Sequence, residues 1–154
     1  MKTPPRRKPV LAVASAGGHW QQLQRLRGAL DAEEVFFLTT LPGLPEEFGA
    51  LPAAIVPDCN QSRPVSVIRS AVVIFGHVLR LRPKVVVTTG ALPGLIALAA
   101  GRVVGARGIW IDSVANAERM SASGRMARHV AHLRLSQWEH VARETQADYA
   151  GSVL

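Results

Sequence analysis

The chain has 154 residues, 48% of them hydrophobic and only 5% aromatic. That is enough for one domain with a real core and too little for two, and the core must be built from Val, Leu, Ile and Ala. Lys and Arg number 18 against 11 Asp and Glu, a formal net charge of +7. The only cysteine, Cys59, excludes an internal disulfide and a cysteine zinc site.

Residues 1–9, with Arg6-Arg7-Lys8 among prolines, read as a flexible basic arm. A short signal peptide with an A-x-A site is the competing reading of this stretch. Its apolar run is minimal, and the same residues make a good first strand over 10–14. The remainder, 10–154, reads as a single domain. A helix over 20–30 follows, with Leu23, Leu26 and Leu30 on its apolar face. Next come a strand over 35–38, a Pro/Gly-rich loop over 39–52 and a short strand over 54–56. Pro64 opens a mostly apolar helix over 65–81 that Pro83 ends.

The second half continues the alternation. It gives a buried strand over 85–88, a Leu/Ala-rich helix over 93–104 and a strand over 108–111. A partly helical stretch over 120–131 precedes a possible edge strand over 132–135 and a last helix over 138–147. Arg69 and His77 interrupt the apolar helix over 65–81, and the uncharged window 90–101 is shorter than a bilayer requires, so no transmembrane helix is predicted. Repeated β-then-α order predicts a doubly wound, mostly parallel, Rossmann-like sheet, whose chemistry belongs at the carboxyl ends of the strands.

Three loops at that edge carry unusual residues. Ser15-Ala16-Gly17-Gly18-His19 joins a strand to a helix N-terminus, where free N–H groups suit a phosphate and an imidazole could act as base or ligand. It contains neither a dinucleotide fingerprint nor a Walker sequence. Thr88-Thr89-Gly90-Ala91 repeats the arrangement, its hydroxyls free to hold a ligand or to cap the helix. Asp112 emerges after an apolar strand as a candidate base, sugar-hydroxyl ligand or loop cap. Ser121, Ser123, Gly124 and Arg125 follow it as a possible oxyanion cradle. His129, His132 and His140 have no convincing further ligand, so no metal site is predicted.

The stretch from Cys59 to Ile111 contains seven basic residues and no acid, a field that attracts anionic lipid, diphosphate or nucleic acid. The aromatic platforms and motifs of a nucleic-acid reader are missing, so no nucleic-acid partner is expected.

Taken in order, the Ser15–His19 loop, Thr88-Thr89-Gly90-Ala91, Ile111-Asp112-Ser113, Ser121–Arg125 and Gln137-Trp138 resemble the PssD/CpsF family of polysaccharide-biosynthesis proteins. That family includes the membrane-anchor subunit of the eukaryotic transferase adding the second GlcNAc to dolichol diphosphate. The general plan is also similar to the N-terminal half of MurG. The resemblance covers roughly 10–154 and implies the acceptor half of a split GT-B glycosyltransferase. A second small GT-B-like chain would carry most of the nucleotide-sugar site, and a polyprenyl-diphosphate-linked sugar would be the acceptor. It implies His19 and Asp112 as catalytic residues. Ser15, Gly17, Gly18, Thr89, Gly90, Ser121, Ser123, Gly124 and Arg125 would hold the acceptor diphosphate.

No cofactor and no metal are implied, and the place of action is the inner face of the plasma membrane, reached peripherally from the cytoplasm. The sequence departs from the family in having Asp112 where Glu is usual and Glu139 where a proline often follows Gln-Trp. The hydrophobic anchor of the eukaryotic members has no counterpart here. Two rival readings are a non-catalytic scaffold that recruits a transferase and a self-contained nucleotide-sugar enzyme.

Overall fold

A computed structural model describes residues 7–153. Six of the nine residues of the basic arm therefore lie outside it. The elements are β1 (Val10–Val13), α1 (Gly18–Arg25), β2 (Val35–Thr39), α2 (Leu44–Glu47), β3 (Ala53–Ile55), α3 (Pro64–Leu81) and β4 (Val85–Thr88). They continue as α4 (Ala91–Val103), β5 (Arg107–Ile111), α5 (Ala122–Ala127), β6 (Leu133–Ser136), α6 (Glu139–Thr145) and β7 (Asp148–Tyr149).

The seven strands form one sheet in the order β3-β2-β1-β4-β5-β6-β7, and every pairing is parallel. This is the expected Rossmann-like α/β fold. The central strand shows why. In β1 every residue is buried, with Leu11 and Val13 in the apolar cluster of one sheet face and Val10 and Ala12 in that of the other. A strand without a polar face needs helices on both sides, and short β-branched runs satisfy that in a parallel sheet. Ile74 and Val78 of α3 and Leu98 of α4 pack over Leu11, Val86 and Trp110. On the opposite face Trp20 and Leu23 of α1 pack over Val10, Phe37 and Val87.

Four expectations need correction. The loop expected over 39–52 contains α2, because proline is tolerated in a first helical turn and Glu46 and Glu47 suit the positive end of the helix. The first helix breaks after Arg25 into a 3-10 turn over Arg27–Leu30. Helix α5 covers only six residues of the stretch expected over 120–131. The strand expected at the edge, β6, is covered by β7, a two-residue strand too short to leave a periodic signal.

Among the described residues α3 is the one helix long and apolar enough to cross a bilayer by length and composition. It is nonetheless part of the fold, burying Ser70, Ile74 and Val78 along one edge.

Candidate active site

Strand order reverses between β1 and β4, whose neighbours run outward in opposite directions. The crevice beyond the carboxyl ends of these two strands is where open α/β sheets bind ligands. The loop after β1 carries Ser15, Gly17, Gly18 and His19, and the loop after β4 carries Thr89 and Gly90. The structure therefore brings these six predicted residues together. The two loops are tied reciprocally: Thr89 Oγ1 donates to His19 O at 2.6 Å, and His19 Nδ1 lies 3.0 Å from Thr89 O.

That second contact fixes the imidazole. A carbonyl only accepts, so Nδ1 carries the proton and Nε2 of the neutral ring keeps its lone pair. Nε2 makes no hydrogen bond to the described residues, and the side chain is half-buried. His19 is thus held by one nitrogen and free at the other, which is the state a general base requires. Gly90 makes room for it: a Cβ there would stand 2.6 Å from Nδ1, and its φ of 131° is strained for any other residue.

Both helices that begin here are led by glycine, Gly17 for α1 and Gly90 for α4, and neither has a side-chain cap. Their first-turn N–H groups therefore remain available to an anion. Ala91, the first residue of α4, has φ 67°, a left-handed conformation that costs a non-glycine residue about 1 kcal/mol or more and clusters at functional sites.

Asp112 has a different setting. It follows β5 and is 1% exposed. Oδ1 accepts from Trp110 Nε1 at 3.0 Å and from Ser121 Oγ at 2.6 Å, and Oδ2 accepts from Asn116 Nδ2 at 2.9 Å and Ser121 N at 3.0 Å. Every strong acceptor direction is occupied, so the carboxylate clamps the loop. Ser121 itself caps α5 through Gly124 N at 2.9 Å. A Cβ on Gly124 would come 2.6 Å from Asp112 Oδ1, so only glycine lets α5 approach this closely. Arg125 Nη1 donates back to Met120 O at 2.8 Å. No hydrogen bond joins Ser123 to the other site residues described here.

The two clusters are joined by residues that carried no signal of their own. Gln22, three residues after His19, donates through Nε2 to Ser113 Oγ and accepts from Val114 N, both at 3.0 Å. Gln137 Nε2 donates to Gln22 Oε1 at 2.6 Å and Asp112 O at 2.9 Å, and its Oε1 accepts from Val153 N at 2.8 Å. These two buried amides tie α1, the β5 loop, the end of β6 and the C-terminal segment into one body. Gln137 was visible only through its place in a resemblance. Gln22 sits on the same helix face as His19, a spacing that would have marked it.

The three histidines weighed for a metal are dispersed in their bonding. His132 Nδ1 accepts from Gly108 N, His140 Nε2 contacts Ala117 O, and His129 Nε2 meets Arg128 Nε. Cavities of about 490 and 910 Å³ open beside α3 and at the amino edge of the sheet, and neither is lined by His19 or Thr89. On the switch-point shelf Gly17 and Gly18 are exposed and Ser15 and His19 half-buried, while Thr89 and Gly90 are buried.

Sheet order, parallel pairing and crevice define this chain as a Rossmann-like domain equivalent to half of a GT-B fold. Solved structures carry the same arrangement. MurG of Acinetobacter baumannii is 15% identical, with a TM-score of 0.69 over 85% of this chain and 42% of that one. UDP-N-acetylglucosamine 2-epimerase from Rickettsia bellii is 11% identical, with a TM-score of 0.69 over 93% and 44%. A glycosyltransferase from Rickettsia africae is 12% identical, with a TM-score of 0.66 over 95% and 42%. The chain thus spans less than half the length of each of these proteins. No family model matches the chain, and no curated protein matches it in sequence.

Proposed function

We propose that this chain is the acceptor-binding subunit of a two-chain glycosyltransferase of the PssD/CpsF type, acting in polysaccharide biosynthesis. A second small GT-B-like chain carries the nucleotide-sugar site. The acceptor is a sugar on a polyprenyl diphosphate at the inner face of the plasma membrane, and the subunit reaches it as a peripheral protein. No metal and no cofactor take part.

The observation that carries this reading is the pinned imidazole. His19 presents a free Nε2 between two uncapped helix N-termini at a switch point. In the reaction His19 Nε2 removes the proton of the acceptor hydroxyl as its oxygen attacks the anomeric carbon of the donor. The bond from that carbon to the donor's phosphate oxygen breaks, and the nucleoside diphosphate leaves with the electron pair. The N–H groups of Gly18, His19 and the first turn of α4, beside Gly90, hold the acceptor's diphosphate, with Ser15 and Thr89 shaping the shelf. Asp112, with Ser121, Gly124 and Arg125, holds the neighbouring wall in place, so its part in catalysis is positional.

Co-purification of the tagged chain from its host, followed by transferase assays on a polyprenyl-diphosphate sugar, tests the proposal. Activity that requires both this chain and a second small chain is the expected result. A chain that turns over a nucleotide sugar unaided would overturn it in favour of a self-contained enzyme, the reading that epimerases among the structural neighbours favour. Full activity of a His19→Ala complex would instead leave a scaffold.

A further inference from the structure

Helix α3 turns the usual pattern of a surface helix outside in. Its buried residues Ser70, Ile74 and Val78 recur every fourth position along one edge. On the opposite side Val65, Ile68, Val72 and Leu79 are 79, 65, 68 and 52% exposed. At about 100° per residue these four side chains fall within an arc of about 60°, so they form one continuous ridge rather than scattered exposures. Gly76, just beyond the arc on the side of Arg69, is also exposed. A helix facing water normally shows polar residues there, and an apolar ridge of this length marks an interaction surface.

The charges around the ridge indicate what covers it. Arg69 and Arg80 border it on one side, and Arg63 and Arg82 stand at its two ends, all four exposed. No acid occurs between Cys59 and Ile111, and among the described residues no salt bridge engages the four, although Asp58 shares a cavity wall with Arg63 and Arg69, and Glu33 and Glu34 share one with Arg80 and Arg82. Lys84, just beyond, is paired with Glu33 and is left out of the account. An apolar ridge bordered by arginines is complementary to acyl chains beneath anionic headgroups. The helix has the length and hydropathy of a spanning segment, but Ile74 and Val78 are locked in the core over β1 and β4. It therefore lies in the interface and does not cross it.

We infer that the outer face of α3 is the surface by which this chain docks on an anionic bilayer, with Val65, Ile68, Val72 and Leu79 entering the headgroup–acyl boundary. The helix begins after the carboxyl end of β3, so the Val65 end of the ridge shares an edge of the sheet with His19. A helix lying flat then keeps that edge alongside the headgroups, within the layer where a membrane-tethered diphosphate resides. Only this last point rests on the function proposed above.

Flotation of the full chain with vesicles of phosphatidylcholine, alone or mixed with phosphatidylglycerol, is the test, and it needs no turnover. Wild type should float with the mixed vesicles and much less with the neutral ones. Arg69→Ser and Arg80→Ser should each weaken binding about fivefold. Ile68→Glu with Val72→Glu should weaken it tenfold or more while circular dichroism stays unchanged, since both residues are solvent-facing. Equal flotation of wild type on both vesicles, or of the double variant and wild type, would overturn the inference. So would a double variant that floats normally but loses a co-purifying chain, which would make the ridge a protein interface. Flotation as expected from a chain devoid of transferase activity with any partner would sink the proposed function and leave the docking face standing.

Discussion

His19 and Asp112 both stand at the carboxyl edge of the sheet, each just beyond a buried strand, and the sequence offers each as a catalytic side chain. Their surroundings differ in one decisive respect. His19 is held through Nδ1 alone, and its Nε2 is free among uncapped helix N-termini. Asp112 is held at both oxygens by four donors and is shut off from solvent. A group that must exchange a proton with a ligand needs an unsatisfied position, whereas a group that must hold a loop needs none. The edge of this sheet thus divides into a loop with one free imidazole nitrogen and the brace beside it.

The largest effect should come from breaking the brace. Asp112→Ala leaves Trp110 Nε1, Ser121 N and Oγ, and Asn116 Nδ2 without their buried acceptor. At about 1–3 kcal/mol for each group left unsatisfied, the loss is about 5 kcal/mol once partial relaxation is allowed. Thermal unfolding should report a fall in Tm of about 10–20 °C. An Asp112→Ala protein that melts like wild type yet has lost turnover would exchange the roles of the two residues.

His19→Ala should give the converse result. Turnover by the two-chain enzyme should fall by about 100- to 1000-fold, the usual worth of a general base. Stability should fall by only about 1 kcal/mol, for one side-chain hydrogen bond. Titrating acceptor and measuring kcat apart from KM sharpens the assignment. A loss confined to kcat marks a base, and a loss confined to KM marks a diphosphate ligand.

Gly90→Ala probes the space between the two loops and should have an intermediate effect. The added methyl would stand 2.6 Å from the His19 ring, at a backbone φ of 131°. The ring must swing away or the loop must shift, at a cost of about 2 kcal/mol, and the Thr89 contact that sets the tautomer is lost. Activity should drop with stability, unlike in His19→Ala. Unchanged activity in a well-folded Gly90→Ala protein would show that the pinned tautomer is irrelevant.

The fold was legible because its signals are local and repeated: β-branched runs, apolar helix faces and glycine turns in strict alternation. The placement of the first two loops at the carboxyl edge was legible for the same reason, since each follows a buried strand and leads into a helix. What stayed hidden depends on distant partners. Nothing near Asp112 in sequence reveals that Ser121, nine positions on, returns to bond it twice. Nor does anything near Gln22 announce Gln137, 115 residues away. The exposure of Val65, Ile68, Val72 and Leu79 was hidden as well, because apolar spacing along a helix cannot say which of two apolar faces meets the sheet.

The smallest prediction sets His19 against another histidine. On α3, His77 lies beside the Phe36 ring with its Nδ1 3.3 Å from Arg80 Nη2. A guanidinium only donates, so Nδ1 of His77 accepts and its proton sits on Nε2, the opposite tautomer to that of His19. Burial, with the Arg80 charge adding to it, lowers the His77 pKa below its ordinary 6.5. Folding therefore favours the neutral ring, because the unfolded chain binds the proton more readily. The contribution to stability is complete above the unfolded value, is lost as pH falls from about 6.5 toward the lower folded value, and is constant below that. Wild type should accordingly lose about 2 °C or less in Tm relative to His77→Gln between pH 7.5 and 5.5. A Tm difference between the two proteins that stays fixed across this interval would show that His77 titrates alike in both states, and that its contact with Arg80 does not set its protonation.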